Sequence, residues 1–110
     1  MTIYIAGPMT GIKDYNRPAF FDAAKRCEEA GFTGINPAVL PVDLPERSYA
    51  PICTAMIDAA DAVYLLDGFE KSVGARAEKQ YAKWQGKILL FEEFHRTPAQ
   101  LRRAIEKKGE

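Results

Sequence analysis

The sequence predicts an α/β protein built on a parallel sheet. Three observations carry this prediction. Four short apolar runs are spread along the chain: "IYIA" (3–6), "FTGIN" (32–36), "AVYLL" (62–66) and "KILLF" (87–91). Stretches with helical apolar spacing lie between and after them. The first, third and fourth runs are continuous rather than alternating, as in strands covered on both faces.

The elements follow in order. The strand at 3–6 leads into the loop "AGPMTGIKDYN" (6–16). A helix is expected over 18–30, where Phe20, Ala23, Ala24, Cys27 and Ala30 recur at helical spacing. Pro18 stands near its start and Gly31 at its C-terminal cap. The strand at 32–36 is followed by the Pro-rich "PAVLPVDLPER" (37–47), a loop long enough to form a lid or rim. The second helix is expected over 48–60, with Ser48 as N-cap and Ile52, Ala55, Met56 and Ala59 as its stripe. Asp61 and Asp67 flank the strand at 62–66, and "DGFEKSVG" (67–74) opens a helix over 73–85, ended by Gly86. After the strand at 87–91, Thr97 caps a last helix over 98–108, with Pro98 at its first position. The expected fold is a flavodoxin-like three-layer sandwich. Its four parallel strands run in the order 2-1-3-4, in a single domain over 1–110.

A chain of 110 residues can bury its own core without staples. Fifteen basic residues balance fifteen acidic ones, so the basic excess of a nucleic-acid footprint is absent. Cys27 and Cys53 form no CxxC pair and read as reduced thiols on helices. His95 is the only histidine, which disfavours a His-based zinc site or a His-driven triad. No metal and no cofactor are expected. The N-terminus lacks a signal-peptide pattern, and no apolar run reaches membrane-spanning length. The expectation is a cytoplasmic protein with a small-molecule ligand and neither a nucleic-acid nor a membrane partner. A homo-oligomer, most simply a symmetric dimer, is also expected, because a four-stranded sheet this small leaves limited apolar cover. Tyr81 and Trp84 lie on one side of the third helix, where they serve either the core or such a partner.

In a sheet of this order, ligands bind beyond the carboxyl ends of the first and third strands. Two glycine-bearing loops meet there, 6–16 and 67–74. The first contributes Gly7, Pro8, Met9 and Gly11, a tight turn rather than a full phosphate cradle, since it lacks the Walker A lysine. Arg17 is the fixed cation nearest to it in sequence, and Asp14 and Asn16 are candidate helix caps. In the second loop, Asp67 is either a ligand group or a turn former before Gly68. Ser72 is a plausible N-cap, and the amides beyond it favour an anion. Gly74 lets a ligand approach the backbone. Glu78 is the least ordinary residue. Its helical neighbours three and four positions away are Gly74, Ala75, Tyr81 and Ala82, so it has no helical ion pair. Its side chain leans toward the helix mouth, where it meets either a ligand or the backbone of the first loop. Tyr4, if buried, needs a partner for its hydroxyl, and a nearby glutamate would serve.

The runs "IYIAGPMTG…DYNRPAF", "AGF…NP", "AADAVYLLDG" and "SVGARAE" resemble the nucleoside 2-deoxyribosyltransferase-like superfamily, and more closely its DUF4406 branch of bacterial and phage proteins. The resemblance extends to about Phe91. It implies glycosidic chemistry on nucleosides or nucleotides, with Glu78 as nucleophile at the anomeric carbon and Tyr4 beside it. Ser72 matches the serine that contacts phosphate in the deoxynucleoside 5′-monophosphate N-glycosidases. Two positions depart from the pattern. Cys53 stands where a second carboxylate is expected, and Met9 and Thr10 occupy the stretch where the monophosphate enzymes carry an arginine. The function so implied is N-glycosidic cleavage or deoxyribosyl transfer, with Asp67 or Asp14 as candidate proton donors to the leaving base. The alternative is a nucleotide-binding or scavenging module without turnover. A protein–protein adaptor on the same scaffold is a third reading.

Overall fold

The structure, a computed structural model, describes residues 1–108. Strands β1 (Thr2–Ala6), β2 (Thr33–Ile35), β3 (Ala62–Leu65) and β4 (Ile88–Phe91) form one parallel sheet in the order β2-β1-β3-β4. Tyr4, in the middle of β1, pairs with Ile35 on one side and Val63 on the other. Helices α1 (Arg17–Glu29) and α4 (Pro98–Lys108) cover one face, over Ile3, Ile5, Tyr64 and Leu90. Helices α2 (Glu46–Ala59) and α3 (Val73–Trp84) cover the other, over Tyr4, Ala6, Val63 and Leu65. The alternation along β1 sends Ile3 and Ile5 to one layer and Tyr4 and Ala6 to the other. Each fully buried large side chain contributes roughly 1.5–3 kcal/mol, so the two layers hold the strand ends firmly. The three-layer architecture and the strand order are those the sequence predicts.

Local departures have local causes. Helix α2 starts at Glu46, two residues before Ser48, and its N-cap is Pro45. Pro45 sits at φ −64° and ψ 150°, an extended residue that hands over directly to helix, and the Ser48 amide bonds back to its carbonyl. Ser48 is thus inside the first turn rather than capping it. Strand β2 is three residues long and pairs only with β1, at the edge of the sheet. The Pro-rich segment begins with a short 3-10 turn, Pro37–Val39, capped by Asn36, whose Oδ1 accepts from the Ala38 amide at 2.8 Å. Thr97 caps α4 as expected, with its Oγ1 accepting from Gln100 N at 3.1 Å. No helix of the described residues is long and apolar enough to cross a membrane.

Between β1 and α1 the chain passes through three consecutive left-handed residues: Asp14 (φ 54°), Tyr15 (φ 52°) and Asn16 (φ 59°). This conformation costs a non-glycine residue of order 1 kcal/mol, least for Asp and Asn. Asn16 occupies the N-cap position of α1 without a side-chain cap bond; its amide instead donates to the Pro8 carbonyl at 2.9 Å.

Candidate active site

The carboxyl ends of β1 and β3 open into a cavity of about 1100 Å³. The close approach of the two strand ends is visible at Gly7, where a Cβ would stand 2.9 Å from the Leu66 Cβ. Only glycine fits there, for reasons of packing rather than of ligand access. The loop after β3 turns on Asp67 and Gly68, passes a 3-10 turn at Phe69–Lys71 and enters α3 at Ser72. Ser72 Oγ accepts from the Ala75 amide at 3.1 Å and so caps the helix. Its own hydroxyl proton is left over for a ligand. Val73 and Gly74 line the cavity, and first-turn amides have no acceptor within their helix. A Cβ at Gly74 would meet nothing closer than Ser72 Oγ at 4.0 Å, so packing leaves room on this side.

Glu78 also lines this cavity. Tyr4 Oη donates to its Oε2 at 2.7 Å. Burial pushes the Glu78 carboxyl up from 4.5 to about 7, against the pull of hydrogen bonds from Tyr4 and Cys53. Burial, reinforced by the Glu78 charge, also drives the Tyr4 hydroxyl far above its ordinary range. Tyr4 therefore stays protonated and remains a donor to the carboxylate at any ordinary pH. The Cys53 thiol is buried beside both groups and beside Tyr49, and desolvation raises it as well. The pocket floor thus holds one carboxyl group that exchanges its proton near neutrality, with donors fixed around it. Such a group can act as a nucleophile or as a base.

A family model described as a domain of unknown function (DUF4406) matches residues 1–91. The chain belongs to the DUF4406 family. Among solved structures it is similar to a 2-desoxiribosyltransferase from Leishmania mexicana. That likeness has a TM-score of 0.67 at 22% identity and covers 87% of this chain and 71% of that one. It shows the fold. No curated protein matches the chain. The family is the branch that the sequence resemblance names, and the fold is the one it implies.

In this DUF4406 protein the expected site residues divide by position. Gly7, Pro8, Met9, Asp67, Ser72, Gly74 and Glu78 line one cavity, with Tyr4 bonded to Glu78 beneath it. Gly11 and Arg17 lie outside that lining. Gly11 is exposed at φ 81°, with open space where a Cβ would be, so it serves the turn. Arg17 opens α1 and is not part of the lining. Asp14 is exposed as well. Asp67 is exposed at the rim, where its Oδ2 accepts from Arg96 Nη1 at 2.8 Å. The burial that a proton-donor role would draw on is absent at both aspartates. Cavity residues that sequence reasoning passed over include Lys71, Tyr49 and Thr54, and Asn16, expected as a helix cap, lines it too. Lys71 adjoins Ser72 and is the lysine of the lining. Tyr49 lies one helical turn before Cys53, a spacing that would have put it on the same face of α2.

Proposed function

We propose that the protein cleaves or exchanges the N-glycosidic bond of a nucleoside or nucleoside 5′-monophosphate, with Glu78 as nucleophile. The hydrogen bond from Tyr4 to Glu78 carries this reading, because it fixes the carboxylate at the cavity that would take the sugar. The small neighbours Gly74 and Ala75 allow a ring to come close. The ionised carboxylate attacks the anomeric carbon, the bond to the base breaks, and the electron pair leaves with the base, which takes a proton. A glycosyl ester on Glu78 results. Water then opens the ester to give the free sugar, or a second base takes the sugar over. The phosphate, where present, is seated by Ser72, the first-turn amides of α3 and Lys71.

A second reading, a nucleotide-binding module without turnover, draws on Cys53. That thiol stands where the resemblance expects a second carboxylate. Release of free base from a panel of nucleosides and monophosphates, followed by chromatography, tests the choice. Release supports the enzyme; tight binding of a monophosphate without release supports the module.

A further inference from the structure

A second, smaller cavity of about 250 Å³ adjoins the first. Met9, Thr10, Glu46 and Tyr49 line both. The remaining side chains of the wall are apolar apart from the Tyr15 hydroxyl: Tyr15, Pro37, Leu40, Pro41, Val42 and Leu44. Its volume is below that of an ordinary small-molecule site, roughly 300 Å³ and upward, so it is an annex rather than a site of its own. The order of the sheet fixes where it lies. The anion-favouring mouth of α3 follows β3, Tyr4 of β1 donates to Glu78 of α3, and the annex is built largely by the segment after β2. The three stand in that sequence across one edge, since β1 lies between β2 and β3.

Two features mark the annex as built. Tyr49 Oη donates to Met9 Sδ at 3.2 Å, tying α2 to the first loop where the chambers join. Tyr15 reaches the annex wall from the middle of the left-handed triplet, a conformation unfavourable for a bulky aromatic residue. Asn16, next to it, lines the main cavity and anchors to Pro8 O.

We infer that the annex is a specificity site that receives an apolar, ring-sized substituent on the base, extending away from the sugar held over Glu78. A ligand with its anionic end at α3 and its anomeric carbon at Glu78 directs its base toward β2. Apart from Glu46 and Thr10 at the junction, and the Tyr hydroxyls, the annex offers no polar side chain to read a base edge. Its side chains discriminate by apolar burial rather than by hydrogen bonding. The inference rests on the proposed function for this orientation. The presence of an apolar subsite is separable from turnover.

The probes are adenine and N6-benzyladenine, titrated into the Glu78→Gln protein and followed by methyl NMR of Leu40, Val42 and Leu44. N6-benzyladenine is expected to bind at least tenfold tighter and to move those methyl signals, which adenine leaves in place. Tyr15→Asn keeps a residue that tolerates the left-handed backbone, and Val42→Asp changes an exposed side chain. Each is expected to bring the affinity ratio down toward one. Equal affinities in the parent protein, or no movement of the three methyls at millimolar N6-benzyladenine, overturns the inference. Base release by the wild type is measured separately. Methyl shifts without release leave the annex standing and remove the catalytic reading; release without benzyl preference does the reverse.

Discussion

The Tyr4 hydroxyl and the Glu78 carboxylate, 74 residues apart in sequence, meet at 2.7 Å between β1 and α3. The bond joins a group that does not ionise in the ordinary range to one that does so at about 7. Glu78 is therefore a mixture of acid and carboxylate at neutral pH, and only the carboxylate can attack a sugar. The kcat/KM for base release is expected to fall about tenfold per pH unit below this value. Glu78→Ala is expected to abolish release while circular dichroism still reports the native fold. Full turnover in a folded Glu78→Ala protein would remove the assignment.

The same raised value affects stability, with a definite sign. Folded Glu78 holds its proton up to about pH 7, whereas the unfolded chain releases it near 4.5. The folded state binds more protons in this window, so stability falls as pH rises from 4.5 to 7 and is level beyond. Glu78→Gln, which carries no charge, escapes that loss. It is expected to be more stable than the wild type at pH 8 by up to about 3 kcal/mol, and to gain little at pH 4. Urea unfolding at the two pH values measures this. An equal effect at both would point to packing rather than charge.

Tyr4→Phe removes the hydroxyl and leaves the ring in its layer. A hydrogen bond to a charged group stabilises by roughly 1.5–3 kcal/mol, and here it favours the ionised form of Glu78. Its loss is expected to move the acid limb of the pH profile upward by one unit or more and to lower turnover at pH 7 by about fivefold or more. A profile with an unchanged midpoint would show that the bond does not tune the carboxylate.

Much of this was legible in the sequence because it rests on periodicity. Continuous apolar runs revealed buried strands, and the order of strands and helices left few topologies. Glu78 stood out because its helical neighbours are small or aromatic, and Tyr4 because a buried hydroxyl needs a partner. What escaped depends on contacts between distant segments. Arg17 is close to the first loop along the chain, yet Lys71 lines the cavity from the loop after β3. Asn16 sits where a cap is expected but spends its amide on Pro8. Asp67 looked like a ligand group or a turn former, and only the return of the chain after β4 brings Arg96 against it. Local pattern carries no record of such meetings.

Ser72 separates capping from ligand binding. Aspartate is as good an N-cap as serine, so Ser72→Asp is expected to leave α3 and the melting temperature nearly unchanged. It places a negative charge where a phosphate is proposed to sit, and like charges at this range repel. The affinity for a 5′-monophosphate is expected to drop at least tenfold, and that for the uncharged nucleoside to change little. Calorimetric titration of both ligands into both proteins decides it. Equal affinity of the wild type for nucleoside and monophosphate would count against a phosphate at the mouth of α3.

Trp84 is 78% exposed, so the core is not its place. Tyr81, on the adjoining face of α3, instead bonds through its hydroxyl to Asp58 Oδ1 at 2.6 Å and lines the cavity. Val73, Ala77, Gln80 and Trp84 follow one stripe of α3 at about 100° per residue, over roughly 16 Å. Val73 is 74% exposed. The stripe ends at the cavity, which Val73 and Ala77 both line. A second copy packed on Trp84 along this stripe would reach the cavity mouth and share in closing it. The expected outcome is a symmetric dimer at micromolar concentration. In Trp84→Glu, dissociation and weaker ligand binding should appear together, because one surface serves both. Light scattering and ligand titration on the same samples test the link. A wild-type monomer removes the dimer. A Trp84→Glu monomer that binds ligand with undiminished affinity keeps the dimer but shows that each subunit builds its site alone.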